Sequence, residues 1–501
     1  MENKRIKNIV IVGGGTSGWM AASAISKMLG QTVNVTLIES DEISTVGVGE
    51  ATIPPIILFN GNVGANEQEF MASVRATVKL GISFENWRVK GEKYFHGFGS
   101  IGKDVWSASF QHFWRKGIKI GVNNPISEYS FESQAAAANK FAHGRDGEIN
   151  YAYHLDAGYY AKFLRKIAEA AGAVRIEGRI NHVKINDQTG YIESVSLASG
   201  QIVEGDFFID CSGFRGILIR EALKTDYEDW SHWLPCDSAV AVQTESVGEP
   251  VPYTRSIAHD SGWQWQIPLQ HRTGNGLVYC SRYMSDEDAK KTLLENIQGK
   301  TITEPKVIKY KTGQHLKYWN KNCVALGLAS GFIEPLESTS IHLVQRGITR
   351  FLQMFPTATN ISQTDIDEYN EQMKLETWNI RDFIILHYHV TDREDSPFWR
   401  ECKNMDIPKS LSQRIEMFKE SGRIFLRSHE LFSEISWLQV MVGQGLLPKT
   451  YHPMIDQMDD NGLVNFLSDI RSSVQAKVNK MPSHHEYLNY YCKSDTWDKA
   501  N

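Results

Sequence analysis

Cysteine is scarce in this chain: six residues in 501 (Cys211, Cys236, Cys280, Cys323, Cys402 and Cys492), with no C-x-x-C pair among them. That spacing supports neither a zinc site nor a disulfide framework, so reduced and mostly buried thiols are expected. Long apolar runs are missing too. The most apolar stretch near the N-terminus, residues 9–12, breaks at once into three glycines. It falls well short of a signal-peptide core or of the ~20 residues that cross a bilayer, which predicts a cytoplasmic protein with no membrane partner. Neither sign of charge dominates, since 53 Lys and Arg stand against 59 Asp and Glu for a net charge of −6. Without a long single-sign run, nucleic acid is a poor partner and a small molecule a good one. Repeats and low-complexity tracts are absent as well. What is present is globular: 42% hydrophobic and 22% charged residues, over a length that allows two to four core-forming units at about 100–200 residues each. The one unusual count is tryptophan, at 13.

Residues 4–12 read as a buried strand, 13–15 as a tight turn, 17–29 as a helix that stops at Gly30, and 33–39 as a second strand, which together spell one β-α-β unit. Asp156 opens another helix, with Tyr159, Phe163, Ile167 and Ala170 on one face. Short apolar runs at 174–176, 180–185, 192–197 and 202–209 then predict an antiparallel meander inserted into an α/β chain. Beyond residue 350 the spacing turns helical, with Ile366, Tyr369, Met373, Trp378 and Ile385 on one or two helices and Leu463 to Val478 on another. Two units are expected: residues 1–350, carrying the nucleotide fold and the meander, and residues 351–501, mainly helical and on the substrate side.

Gly13-Gly14-Gly15-Thr16-Ser17-Gly18 fits G-x-G-x-x-G, and it follows a strand and opens a helix, the context in which that motif binds a dinucleotide. The glycines allow a tight turn, close approach of backbone to pyrophosphate, and close helix–strand packing. Glu39, at the end of the second strand, stands where a carboxylate accepts hydrogen bonds from ribose hydroxyls. A second match, Gly97 to Gly102, lacks a convincing strand before it and is set aside. One fingerprint leaves no separate NAD(P)H domain. Later strand-then-glycine segments, 205–213 and 324–329 with Gly327, resemble those that close around FAD in flavin monooxygenases, which favours FAD over NAD.

Three further segments resemble the flavin-dependent halogenases, the family typified by tryptophan halogenases. Trp263, Trp265, Ile267 and Pro268 form W-x-W-x-I-P; residues 47–54, with Gly49, Glu50 and Ala51, resemble the family's second flavin segment; residues 331–339 resemble its halide and catalytic loop. The resemblance implies an α/β, Rossmann-like FAD-binding fold of the flavin monooxygenase type, with an inserted antiparallel sheet and a C-terminal helical substrate module. It also implies a reaction: reduced FAD, delivered by a separate NAD(P)H-dependent flavin reductase, and oxygen turn chloride or bromide into hypohalous acid, which then halogenates an electron-rich ring.

By the same resemblance Lys79 carries the halogen to the ring, although a lysine at a helix end is ordinarily a solvated charge. Glu337 is expected beside the ammonium, to position it and take the ring proton. Glu334, three residues earlier, is a rival for that role and a substrate contact with Ile333. Halide is expected at Thr339 and Ser340. His96 and Phe98 match the aromatic pair that sandwiches an indole, and a His and Phe two apart also suit an ordinary strand face. Two departures stand out. This chain has Ser340 where the tryptophan enzymes have glycine, which opens the choice of halide. Before Trp437 it also has only Leu431 to Ser436, where those enzymes carry the aromatic and acidic stretch that grips an amino acid. A pocket without that clamp leaves a zwitterion's charges unpaired, so indole or an indole derivative is expected in place of free tryptophan. His387-x-His389 and His484-His485 lack a third ligand for a metal. The alternatives are a single-component FAD hydroxylase, which would consume NAD(P)H unaided, and a flavin-binding partner without catalysis.

Overall fold

The computed structural model describes residues 4–42, 49–144 and 148–494. Gly47 and Val48 of the second flavin segment lie outside them. The expected β-α-β unit is there as Asn8–Val12, the helix Thr16–Leu29 and Asn34–Glu39, with the two strands parallel and in register. They are the centre of a six-stranded sheet whose order is Trp319–Asn320, Cys323–Ala325, Phe207–Asp210, Asn8–Val12, Asn34–Glu39, Val174–Glu177. Asp156 caps the helix Ala157–Ala170 by accepting from the amides of Gly158 and Tyr159.

The meander needs correcting. Only Ile180–Ile185, Ile192–Leu197 and Ile202–Glu204 form a separate antiparallel sheet. The run at 202–209 divides at Gly205, and Phe207–Asp210 joins the parallel sheet, as does Val174–Glu177. All four residues of Phe207–Asp210 are buried, as suits a central parallel strand, whereas Ile180–Ile185 is half-exposed.

A larger, seven-stranded sheet carries the substrate side, in the order Lys306–Lys309, Ser238–Thr244, Thr273–Tyr279, Gly262–Pro268, Thr254–His259, Gly81–Glu85, Lys93–Gly97. The C-terminal helices cover it. The helix Gln363–His389 is one continuous element, and its Ile380, Phe383, Ile384 and Tyr388 share a core with Ile82, Phe84, Trp263 and Trp437. Residues on both sides of position 350 therefore build one apolar core. All six cysteines are free thiols, five of them buried.

Candidate active site

A cavity of about 590 Å³ opens at the carboxyl ends of the parallel strands, where nucleotides bind in folds of this kind. Gly13, Gly15, Thr16, Ser17 and Glu39 line one end. Gly13 and Gly18 are required by close approach: a Cβ on Gly13 (φ +108°) would stand 2.2 Å from the Cys211 carbonyl oxygen, and one on Gly18 would stand 1.8 Å from that of Gly13. Gly327 (φ +63°) faces Ser17 in the same way, with 2.2 Å between its Cβ position and Oγ. The cradle fits a dinucleotide. Gly18→Ala is expected to weaken FAD binding by roughly tenfold or more, read by flavin fluorescence titration of the folded protein. Glu39 already accepts from the Arg175 guanidinium, which fixes its carboxylate at the cavity rim.

The cavity is also walled by Trp263 and Trp265, whose rings lie 6.1 Å apart on one face of the strand, together with Ile267 and Ile333. Gly276 on the neighbouring strand makes room for the Trp265 indole, which would be 2.0 Å from a Cβ there. Gly49, Glu50 and Ala51 close another side, and burial pushes the Glu50 carboxyl up to about 7. Ser338 and Ser340 line the cavity. Thr339 lies behind them at the N-cap of the helix Ser340–Gln353, its Oγ1 buried without a hydrogen-bond partner.

Lys79 lies beyond this wall. It ends the strand Thr77–Lys79, which pairs with Ala152–Asp156; two residues later the chain enters the seven-stranded sheet at Gly81. The lysine is thus on a strand at the bend between two sheets, not at a helix end. Its side chain is fully buried, and Nζ donates to the Thr52 carbonyl (3.0 Å) and to Ser338 Oγ (2.7 Å). The Phe98 ring centroid is 5.1 Å away. Burial pushes the Lys79 ammonium down to about 7, against the pull of the Glu337 charge.

Ser338 joins the two spaces, since it lines the cavity and accepts from Lys79. It sits at φ +59°, a left-handed conformation that costs a non-glycine residue about 1–3 kcal/mol and is found where function fixes the backbone. That twist separates the expected pair. Among the described residues Glu337 makes no ion pair with Lys79. Its carboxylate is instead held by His96 Nδ1, at 2.9 and 3.0 Å from the two oxygens, with His387 Nε2 at 2.8 Å from Oε1. Burial pushes this carboxyl up, but the two imidazoles hold it down at about 2.

A family model for tryptophan halogenases matches residues 8–460. The chain belongs to the tryptophan halogenase family. It is 33% identical to tryptophan 6-halogenase of Streptomyces toxytricini over 97% of this chain and 99% of that one. A solved flavin-dependent halogenase from Xanthomonas campestris shares 52% identity at a TM-score of 0.96, covering 98% of this chain and 99% of its own. One from Brevundimonas sp. BAL3 shares 41% at 0.94, covering 97% and 99%. The protein is a flavin-dependent halogenase, an oxidoreductase with the FAD-binding α/β fold.

Several expected residues take different places in this halogenase. Glu334, expected as a substrate contact, is 1% exposed and accepts from Trp263 Nε1 (2.7 Å) and the Tyr388 hydroxyl (2.6 Å). Burial pushes its carboxyl up to about 7. Trp263 therefore both walls the cavity and anchors the loop that carries Glu334 and Glu337. Ile333 faces the flavin cavity. The second glycine match does follow a strand, Lys93–Gly97, but Gly99 abuts the Glu132 carboxylate, 1.7 Å from a Cβ position, and none of its glycines lines the cavity. His484, read only for metal, accepts from the Val78 amide at 3.1 Å and so braces the strand that carries Lys79. Thr52, Ser338, His387 and Gln439 join the site through the fold alone, and the Gln439 side-chain amide clasps the backbone of Gly97 at 2.9 and 3.0 Å. The only signal for Ser338 was its place between Glu337 and Thr339. His387 stands out in the sequence only for a metal, because Glu337 and Tyr94, beside it in the fold, are tens to hundreds of residues away.

Proposed function

We propose that this halogenase acts on a neutral indole-type ring, with Lys79 delivering the halogen and Glu337 taking the ring proton. Reduced FAD in the glycine-lined cavity, supplied by a separate flavin reductase, brings the oxygen chemistry that converts halide to hypohalous acid. Thr339 and Ser340 would hold that halide, the unpartnered Oγ1 and the helix N-terminus giving it donors. The acid passes Ser338 to Lys79 Nζ, which near neutral pH exchanges between ammonium and amine and has donors on two sides already committed. The ring attacks the halogen there, the departing hydroxide takes a proton from the Lys79 ammonium and leaves as water, and Glu337 accepts the proton from the attacked carbon. Lys79, Glu337 and His96 are 0–2% exposed, so water is kept from the electrophile.

The observation that carries the substrate reading is the ion pair beside Trp437. Arg414 and Glu430 pair with each other (Nη1–Oε2 3.1 Å), and the guanidinium lies 4.0 Å from the Trp437 indole centroid. Neither is free to grip an amino acid. Phe432 stacks on Phe383 at 3.8 Å and lies 6.2 Å from His96, filling the clamp's place with aromatic surface. A second reading, free tryptophan, draws on relatives named tryptophan 6- and 7-halogenases. It also draws on Glu434, a carboxyl that burial and Asp104 push up, near which an ammonium could sit. The test supplies FAD, a flavin reductase, NADH, oxygen and bromide with indole. A monobrominated product by mass and isotope pattern, dependent on the reductase, is expected; a hydroxylated product from NAD(P)H alone would overturn the reading.

A further inference from the structure

Glu337 lies between two imidazoles, and the mechanism above employs neither. His387 is in the last turn of the helix Gln363–His389, 0% exposed, with its ring stacked on Phe84 at 4.6 Å and 23°. Its Nδ1 is 2.9 Å from the Tyr94 hydroxyl, and Tyr94 itself stacks on Phe84 at 4.9 Å and 7°. Its Nε2 is 2.8 Å from Glu337 Oε1 but approaches obliquely to the ring N–H, a loose contact of the kind that tightens once substrate fills a site. With the Tyr94 O–H donating to Nδ1, the neutral imidazole keeps its proton on Nε2, facing the carboxylate.

We propose that Tyr94 and His387 form a positioning pair that aims an ionised Glu337 at the substrate ring. His96 alone, straddling both carboxylate oxygens through one nitrogen, leaves the carboxyl free to pivot about that contact. A second imidazole on Oε1 stops the pivot. The titratable groups facing the pair are His96 on the same strand as Tyr94 and Glu337 on the catalytic loop, with Lys79 across Ser338. Hydrogen bonds to the ionised form favour it, so losing this donor makes the carboxylate easier to protonate. Losing only the Tyr94 hydroxyl frees the imidazole to move its proton to Nδ1, which turns a lone pair toward Glu337 and acts in the same direction.

The inference rests on the reading of Glu337 as the base, and the test separates the two. Bromination of indole is followed against pH for the wild type, Tyr94→Phe and His387→Phe, with Glu337→Gln as control. In both variants the acid limb of the kcat profile is expected to move to higher pH, further in His387→Phe, while KM for indole changes by no more than about twofold. Tyr94→Phe removes one oxygen from a stacked ring and carries the test alone if His387→Phe does not fold. An acid limb that stays in place in Tyr94→Phe overturns the positioning pair, whatever happens to kcat. Wild-type halogenation by Glu337→Gln overturns the base reading itself.

Discussion

Lys79→Ala is expected to lower halogenation about a thousandfold or more, because the halogen then lacks the group that holds it near the ring. Flavin oxidation should continue at its wild-type rate, since Lys79 lies outside the cavity that holds the cofactor. Oxygen uptake and peroxide or hypohalite release would thus persist while halogenated product disappears. Loss of folding would not explain such a result. Removing the side chain strips the Thr52 carbonyl and Ser338 Oγ of a donor, a cost of about 1–3 kcal/mol each at most. It also removes a fully desolvated ammonium, whose burial costs several kcal/mol. The variant should melt at or above the wild-type temperature at pH 7. That gain should shrink between pH 7 and about 10.5, because in this window the unfolded wild type binds more protons on Lys79 than the folded one, so the folded wild type gains stability as pH rises. Unchanged halogenation by Lys79→Ala would make the lysine structural.

Glu337→Gln is expected to lower kcat by about 10²- to 10⁴-fold with KM for indole nearly unchanged, the pattern of a lost general base. Glutamine keeps the size and an oxygen for His96, so the loop should hold its shape. A variant that loses only substrate affinity would place Glu337 in binding, not proton transfer.

Local pattern carried the sequence a long way on the nucleotide side. The glycine turn, Glu39 and the two flanking strands lie within the first forty residues, and Gly13 and Gly18 have backbone reasons that any strand–turn–helix of this kind shares. The halogenating centre was legible only in pieces. Thr52, Lys79, His96, Ser338 and His387 come from five separate segments that only the bend at Leu80 and the packing of the long helix bring together. A pairing such as Lys79 with Glu337 is natural from residue types, yet one left-handed residue, Ser338, turns the hydroxyl to the lysine and the carboxylate to the imidazoles. Glu334, three residues from Glu337, accepts from Trp263 and Tyr388, partners too far away in the chain for the spacing to indicate. The strand at 174–177 was misplaced because its half-exposed pattern fits either sheet edge.

Preference for a neutral ring at Lys79 is tested most directly in one vessel with equal concentrations of indole and tryptophan. FAD, a flavin reductase, NADH, oxygen and limiting bromide are added, and the two brominated products are counted by mass spectrometry. Bromoindole in roughly tenfold excess or more is the expected result, given unpaired zwitterion charges in the pocket. Bromotryptophan as the main product would contradict it and assign the amino-acid grip to Glu434 and its neighbours.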